Sequence, residues 1–339
     1  MQMEIQSSAR VPAGVVRITD VAALAGVSPG TASKALNNTG QLRDATRQRV
    51  LQAAEQLGFT PDSRGRALSS GRSYTVGLVT TDSSGRFSIP IMQGAEDALS
   101  AGEMALLLCD TRDDPLREQH YIRTLLARRV DGIILTGRRT EARPPIRVPV
   151  PTVYAFNPST DPADASVVVD DAGGARQLAD HLLSLGRERV AHVTGPERHR
   201  SAVERATAAV AVLGDRLVGP PLYGEWTERW GRHAVDVLLR RHADVDAITC
   251  GSDQIARGVC DRLRELGRAV PTDLAVTGFD NWEVMALASR PPLTTMDLEL
   301  EALGRRAAQL LLDAIAGNPR HGLLELPPRL VTRESTLGD

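Results

Sequence analysis

Residues Arg17–Leu36 read RITDVAALAGVSPGTASKAL, and this stretch decides the architecture. It predicts two short helices joined by a tight turn. Thr19 is placed to cap the first, with Asp20 against the positive end of its dipole and Val21 and Leu24 on its apolar side. Gly26 supplies the positive φ that ends that helix, and Val27 drops into the small core beneath the turn. Ser28 then caps a second helix, with Pro29 at its first position, where a fixed φ and a missing N–H cost nothing. Ala32, Ala35 and Leu36 recur at helical spacing against the first helix, while Thr31, Lys34 and Asn38 occupy the other face. Such small, polar or cationic side chains suit phosphates and base edges in a major groove; the same pattern also fits a helical hairpin whose polar face is merely solvated.

Working outward, Val50, Ala54 and Leu57 predict a third helix that closes this core and stops at Gly58. Residues 61–73 are rich in Ser, Gly and Arg, the composition of a basic linker. From Tyr74 onward, short apolar runs alternate with amphipathic helices. Strands are expected at Tyr74–Thr81, Met104–Cys109, Gly132–Thr136 and Pro151–Tyr154 in one parallel layer. A second layer is expected at Ser166–Val169, Arg189–Thr194, Ala247–Cys250 and Leu274–Thr277. Two doubly wound halves follow, with a ligand cleft beyond the facing strand ends.

Several of these stretches together are similar to the LacI/GalR (lac-repressor) family of bacterial transcription regulators. They are RITDVAALAGVSPGTASKALN with its continuation RQRVLQAAEQLGFTPDSRGRALSSGRS, then VVVDDAGGARQLADHLLSLGRERVAHVTGP, GSDQIARGV, VPTDLAVTGFDN, RPPLTTMDLELEALGRRAAQLLL and LVTRES. The ordered series runs from about Arg17 to Ser335 and is a far stronger signal than a lone helix-turn-helix.

The resemblance implies an α/β fold: a small all-α helix-turn-helix head on a two-lobed, doubly wound parallel-sheet body of periplasmic-binding-protein type. The expected divisions are a loose N-terminus (1–16), the head (17–60), a hinge (61–73), a first lobe (74–157 and 297–320) and a second lobe (158–296 and 321–339). It places Thr19, Ser28, Pro29, Gly30, Thr31, Ser33, Lys34 and Asn37 on DNA. Pro29 and Gly30 offer no hydrogen-bonding side chains, so base readout leans on Ser28, Thr31 and Lys34. From the hinge it adds Arg64 and Leu68, the latter matching a leucine that wedges into the minor groove. Leu68 can also be read as a linker leucine resting on the body. Gly65, where the family often carries alanine, costs about 1 kcal/mol of helix propensity.

For the cleft, the resemblance implies a sugar-like effector held by Asp280, by Arg205 facing it across the cleft, by Trp226 as a stacking ring, by Ser252 and Asp253 after a strand, and by Phe87 from a first-lobe loop. Duller roles are open for each: Asp280 and Asp253 as helix caps, Arg205 paired with Glu204 or Glu228, Trp226 in a core. The segment after Arg205, ATAAVAV, lacks the glycine and aromatic usual in the family, and Gly173 and Val203 replace polar groups of some relatives.

Composition bounds the reading. The 339 residues are 42% hydrophobic but only 3% aromatic, so the cores must be aliphatic, and the net charge is -2. That balance is uneven: residues 1–72 hold nine Lys+Arg against five Asp+Glu, the remainder 31 against 37. The head attracts phosphate and the body does not. Lys34 is the only lysine. Cys109, Cys250 and Cys260 read as buried thiols of a reducing compartment. No apolar run before Arg17 resembles a signal peptide and no stretch approaches a membrane span, so a cytoplasmic protein acting on DNA is expected. Neither metal nor cofactor is expected: His181, His192 and His199 lack ligand spacing, and no H-E-x-x-H, G-K-[ST] or G-x-S-x-G motif points to an enzyme. The expected partners are a pseudo-palindromic double-stranded operator, a sugar or sugar derivative, and a second copy of the chain, because no C-terminal leucine repeat suggests a tetramer. The competing class is a soluble sugar-binding module with a vestigial head.

Overall fold

The computed structural model of the chain describes residues 16–37, 40–59 and 72–338. It divides into two compact units, residues 1–73 and 74–339.

In the first unit α1 (Ile18–Ala25), α2 (Pro29–Leu36) and α3 (Asp44–Leu57) enclose a core of Val21, Ala22, Ala25, Ala32, Ala35, Val50, Ala53 and Ala54. Six alanines in so small a core let short helices approach closely. Gly26 (φ 63°) and Gly58 (φ 63°) end α1 and α3 in the left-handed conformation expected of them. Two local expectations fail. Thr19 lies inside α1 and does not cap it; the cap position is Arg17, whose backbone N–H donates to Asp20 at 2.8 Å. Leu24 is 51% exposed, because the buried face is set by Val21, Ala22 and Ala25, and Leu24 projects away from it.

The second unit contains two parallel sheets. The larger has the order β11-β5-β4-β3-β1-β2, built from β1 (Thr75–Thr80), β2 (Ala105–Asp110), β3 (Gly132–Thr136), β4 (Thr152–Ala155), β5 (Ala165–Val169) and β11 (Gly322–Leu326). Every pairing in it is parallel. On one face lie α4 (Ser88–Ser100) and α11 (Leu300–Ile315), burying Ile91, Leu303, Ala307 and Leu311 against Val76, Leu78 and Ile134. On the other, α5 (Pro115–Ala127) packs Ile122 and Leu125 on Ile133 and Leu135. Gly94 and Gly304 let α4 and α11 meet at backbone distance, since a Cβ at either would collide with a carbonyl of the facing helix.

The smaller sheet has the order β7-β6-β8-β9, formed by β6 (Val190–Thr194), β7 (Leu222–Tyr223), β8 (Ala247–Cys250) and β9 (Ala275–Thr277). Its helices are α6 (Asp171–Ser184), α7 (Arg200–Leu213), α8 (Glu228–Arg241) and α9 (Asp253–Glu265), followed by the short α10 (Glu283–Ala286). An antiparallel pair, β10 (Thr295–Asp297) with β12 (Arg329–Val331), joins the lobes, and α12 (Glu334–Leu337) closes on the second lobe through Ser335.

The division between lobes differs from the sequence expectation at two strands. Residues 165–169 pair with β4, as Val153↔Ala165 to Ala155↔Val167, and so belong to the first sheet rather than opening the second. The chain crosses only after Val169, entering α6. Residues 322–326 likewise extend the first sheet beside β5, so the tail from 321 is not wholly second-lobe. An apolar strand carries no local mark of which of two parallel sheets will accept it; register and the length of the connection decide. Cys250 and Cys260 are buried as expected, whereas Cys109 on the edge strand β2 is half-buried. No helix among the described residues is long and apolar enough to cross a membrane.

Candidate functional site

The strand ends of the two lobes converge on a cavity of about 400 Å³. From the first lobe it receives the loop after β1. Asp82 is 3% exposed and accepts the N–H groups of Phe87 (2.8 Å) and Ser88 (3.0 Å) and the Ser84 hydroxyl (2.6 Å). Burial alone would raise this carboxyl, but the Ser84 hydroxyl and the two backbone donors outweigh it and hold it below the usual carboxylate range. The effect is to fix the loop, so that Arg86 and Phe87 project into the interlobe space. Phe87 stacks on Phe156, ring centroids 4.9 Å apart. The Arg86 guanidinium lies between the Phe87 ring (4.9 Å) and that of Trp282 (4.3 Å) and forms an ion pair with Asp280 of the other lobe.

Asp280 follows β9 with φ 108°, a conformation that turns its carboxylate out of the strand direction. Its second partner is Arg205 on α7, 3.6 Å away. Arg205 is 5% exposed and fully engaged: Nε donates to Asp171 at 2.9 Å, Nη2 forms an ion pair with the same carboxylate oxygen at 2.7 Å, Nη1 donates to the Gly251 carbonyl at 2.6 Å, and the guanidinium covers the Phe279 ring at 3.7 Å. Burial pushes the Asp280 carboxyl up, a tendency that Arg86 and Arg205 oppose and Asp171 reinforces.

The alternatives for Arg205 are settled geometrically. Glu204 pairs with Arg200 and Glu228 lies 3.9 Å from Arg257, so Arg205 takes neither. The expectation that Arg205 faces Asp280 across the cleft is corrected, since both belong to the second lobe and the guanidinium that crosses is Arg86. That pair is separated by 194 residues, and nothing local to SSGRFS names its partner. Its one signal is the cation set beside Phe87 in a Ser-Gly loop.

The remaining residues divide. Ser252 lines the cavity and caps α9 by accepting the Ile255 N–H at 3.3 Å. Asp253, with no exposed surface, does not reach it; it accepts the Trp282 N–H (2.7 Å) and the Thr295 hydroxyl (2.5 Å), supporting the wall from behind. Burial, with the Asp280 carboxylate nearby, raises its carboxyl well above the usual range. Trp226 lines the cavity and is half-buried, its indole N–H donating to His199 Nδ1 at 2.8 Å. A Cβ at Gly195 would collide with this indole, so the glycine is what admits it. His199, which the sequence reading left without a role, therefore presents Nε2–H as its free donor. Val203 is 38% exposed on α7, and Gly173 donates its N–H to Asp170 at 2.6 Å; neither lines the cavity.

In the head, Ser28 Oγ accepts the Thr31 N–H at 3.2 Å and the two hydroxyls share a 2.9 Å hydrogen bond. Asn37 Nδ2 donates to Ser33 Oγ at 3.3 Å. Ser28, Pro29, Gly30, Lys34 and Asn37 are exposed, as is Thr19 on α1, while Thr31 and Ser33 are half-buried. One face of α2 is thus small and polar with a cation at its end. Asn38, Arg64, Gly65 and Leu68 lie outside the described residues.

Residues 17–62 match the bacterial regulatory proteins of the lacI family, and residues 179–336 match a periplasmic binding protein-like domain. The HTH-type transcriptional regulator CelR of Thermobifida fusca is 33% identical over 333 residues, covering 93% of this chain and 96% of CelR. Catabolite control protein A of Priestia megaterium is 30% identical, with 95% and 99% covered. Among solved structures, the CelR–cellobiose complex superposes with a TM-score of 0.66 at 31% identity, covering 94% of this chain and 99% of that one. The lac repressor dimer bound to operator and the anti-inducer ONPF superposes at 0.76 with 25% identity, covering 96% and 100%. With a helix-turn-helix head, a two-lobed parallel-sheet body and this similarity over nearly its whole length, the chain belongs to the lacI family of bacterial regulatory proteins and is a DNA-binding regulator of transcription.

Proposed function

We propose that the chain is a dimeric, cytoplasmic repressor of carbohydrate-use genes, whose operator affinity is set by a sugar bound between the lobes. The observation that carries this is the disposition around Asp280. One carboxylate at the cavity wall meets a guanidinium from each lobe, with aromatic faces at Phe87, Phe156 and Trp226 close by. Vicinal hydroxyls bridge carboxylate and guanidinium pairs, and the C–H face of a pyranose packs on an aromatic ring. The CelR–cellobiose complex supports the same class of ligand.

In this reading Ser28, Thr31 and Lys34 of α2, with Thr19, Pro29, Gly30, Ser33 and Asn37 around them, meet the operator. Arg64 and Leu68 contribute from the hinge segment 61–73, and Phe87, Arg205, Trp226, Ser252 and Asp280 hold the sugar. Asp253 acts by fixing Trp282. Two heads must match two half-sites in register with the dimer axis, so a body that alters the separation of the hinge segments weakens both contacts together. The coupling required is about 1–3 kcal/mol between sites.

The experiment is an operator titration of the full chain by fluorescence anisotropy, with and without sugars that raise its thermal stability. A sugar that binds the wild type, fails to bind Asp280→Ala and shifts operator affinity about fivefold or more meets the expectation. A sugar that binds the body and leaves operator affinity unchanged refutes it.

A further inference from the structure

Beside the cavity at Asp280 lies a second chamber, of about 340 Å³. The two share Arg138, Arg139 and Glu141 as lining residues, so they meet at a waist. The chamber opens at the C-terminal ends of three first-lobe strands, where Thr81 follows β1, Gly137 follows β3 and Asn157 follows β4. Phe156 and Asn157 are consecutive and serve different spaces: Phe156 (φ 75°) lines the first cavity and Asn157 the second.

Several polar atoms here are buried and have no partner among the described residues. Asn157 is 8% exposed, and its Oδ1 accepts nothing. At the waist, Glu141 Oε1 accepts the Arg200 N–H of the second lobe at 2.9 Å, whereas Oε2 is unpartnered. Arg143 donates to Glu118 at 2.8 Å, leaving Nε unused. Two acceptors and one donor, all buried, call for groups that both donate and accept. The charges are Arg138, Arg139 and Arg143 against Asp113, Asp114, Glu118 and Glu141. That balance gives a phosphate or carboxylate no reason to enter. Pro115, Ala142 and Pro144 supply aliphatic surface for C–H groups. A neutral polyhydroxylated ring satisfies all three conditions.

We propose that this chamber is the second subsite of an oligosaccharide site. The effector then has at least two glycosyl rings, one against Asp280 and Phe87 and the next, past the waist, against Asn157, Glu141 and Arg143. The proposal rests on the sugar-binding reading above and adds to it a minimum ligand length and a location for the extra ring.

The test is calorimetric titration of the full chain with glucose, cellobiose and cellotriose, and with maltose and lactose as differently linked disaccharides, weak monosaccharides being measured by displacement. At least one disaccharide should bind about tenfold or more tightly than its monosaccharide, the increment of a well-filled polar subsite. The gain should shrink to about twofold or less in Asn157→Ala. Ala142→Phe, placed at an exposed position on the chamber wall, should obstruct the second ring in the same way without touching the core. Monosaccharide affinity should be unchanged in both variants. If monosaccharides bind as tightly as disaccharides, or the gain survives both substitutions, the chamber is not a subsite and the sugar reading stands without it. If no sugar of either length binds, the sugar reading itself fails and takes the subsite with it.

Discussion

Arg205→Met tests whether the site is held together by charge neutralisation. The substitution keeps an unbranched side chain over the Phe279 ring and deletes the guanidinium. It removes the bonds to Asp171 at 2.9 and 2.7 Å and to Gly251 at 2.6 Å, together with the 3.6 Å contact to Asp280. The side chains left behind are 3% exposed at Asp171 and 7% at Asp280. Asp171 has no other ion-pair partner among the described residues, and Asp280 keeps only Arg86. Removing one member of a buried pair costs about 3–5 kcal/mol, mostly as the penalty on the charge that remains. At about 2–4 °C per kcal/mol for a lobe of this size, the melting temperature should fall by about 6–20 °C. All three tryptophans, Trp226, Trp230 and Trp282, lie in the second lobe, so their fluorescence in urea reports the unit that matters. The decisive comparison is Arg205→Met with Asp171→Asn. If the cost is unpaired charge, the double variant should recover about half of the loss or more, because Asn carries none. A single variant costing less than about 1 kcal/mol, or a double variant as unstable as the sum of the singles, refutes the argument.

Three further outcomes follow from buried and exposed polar groups. Burial, reinforced by Arg205, lowers His192 from its ordinary 6.5 to about 4, and neither ring nitrogen has a partner among the described residues. The folded protein therefore binds fewer protons than the unfolded chain between those values, so this contribution is complete above about pH 6.5 and is lost as pH falls towards 4. His192→Leu should lose about 2 kcal/mol less than wild type between pH 7 and pH 5 in urea unfolding; parallel pH profiles would remove His192 as a cause of acid sensitivity. In the head, Lys34→Ala should weaken operator binding and reduce the slope of log affinity against log salt by about 1, whereas Ser28→Ala, which removes the cap of α2, should cost about 1 kcal/mol of stability. An unchanged salt slope places Lys34 off the phosphates.

Element type was legible in this sequence because its signals are local. The strand Gly132–Thr136 and the caps Ser28, Gly26 and Gly58 follow from runs, periods and single residues with one conformational preference. Membership was not. Residues 165–169 have the composition of any buried strand, and only their pairing with β4 puts them in the first sheet. The site shows the same limit. Asp280 and Trp226 sit on turns where a ligand group is expected and Arg205 within α7, and all three line the cavity. Asp253 stands on an equally promising turn, but its carboxylate is turned inward to the Trp282 N–H and Thr295, a choice made by residues distant in sequence. Arg86 and Asp171 become significant only through what they touch, and those partners lie 194 and 34 residues away.

The Arg86 ion pair constrains how an effector acts. Asp280 is paired with a guanidinium from each lobe, so this arrangement of the lobes carries its own electrostatic tie. A ligand shifts the lobes only by the difference in its affinity for the two arrangements. A sugar that inserts its hydroxyls between Arg86 and Asp280 exchanges one tie for another, and its net effect on closure is small or opposing. A sugar that leaves the pair intact and stacks on Phe87 and Trp226 adds contacts from both lobes, and the whole of that gain favours closure. The sign of the effect on closure is therefore decided by whether the Arg86–Asp280 bond survives in the complex. Because Arg86 is held between Phe87 and Trp282 independently of Asp280, its position persists when the bond is broken, and the two cases differ by the displacement of one carboxylate.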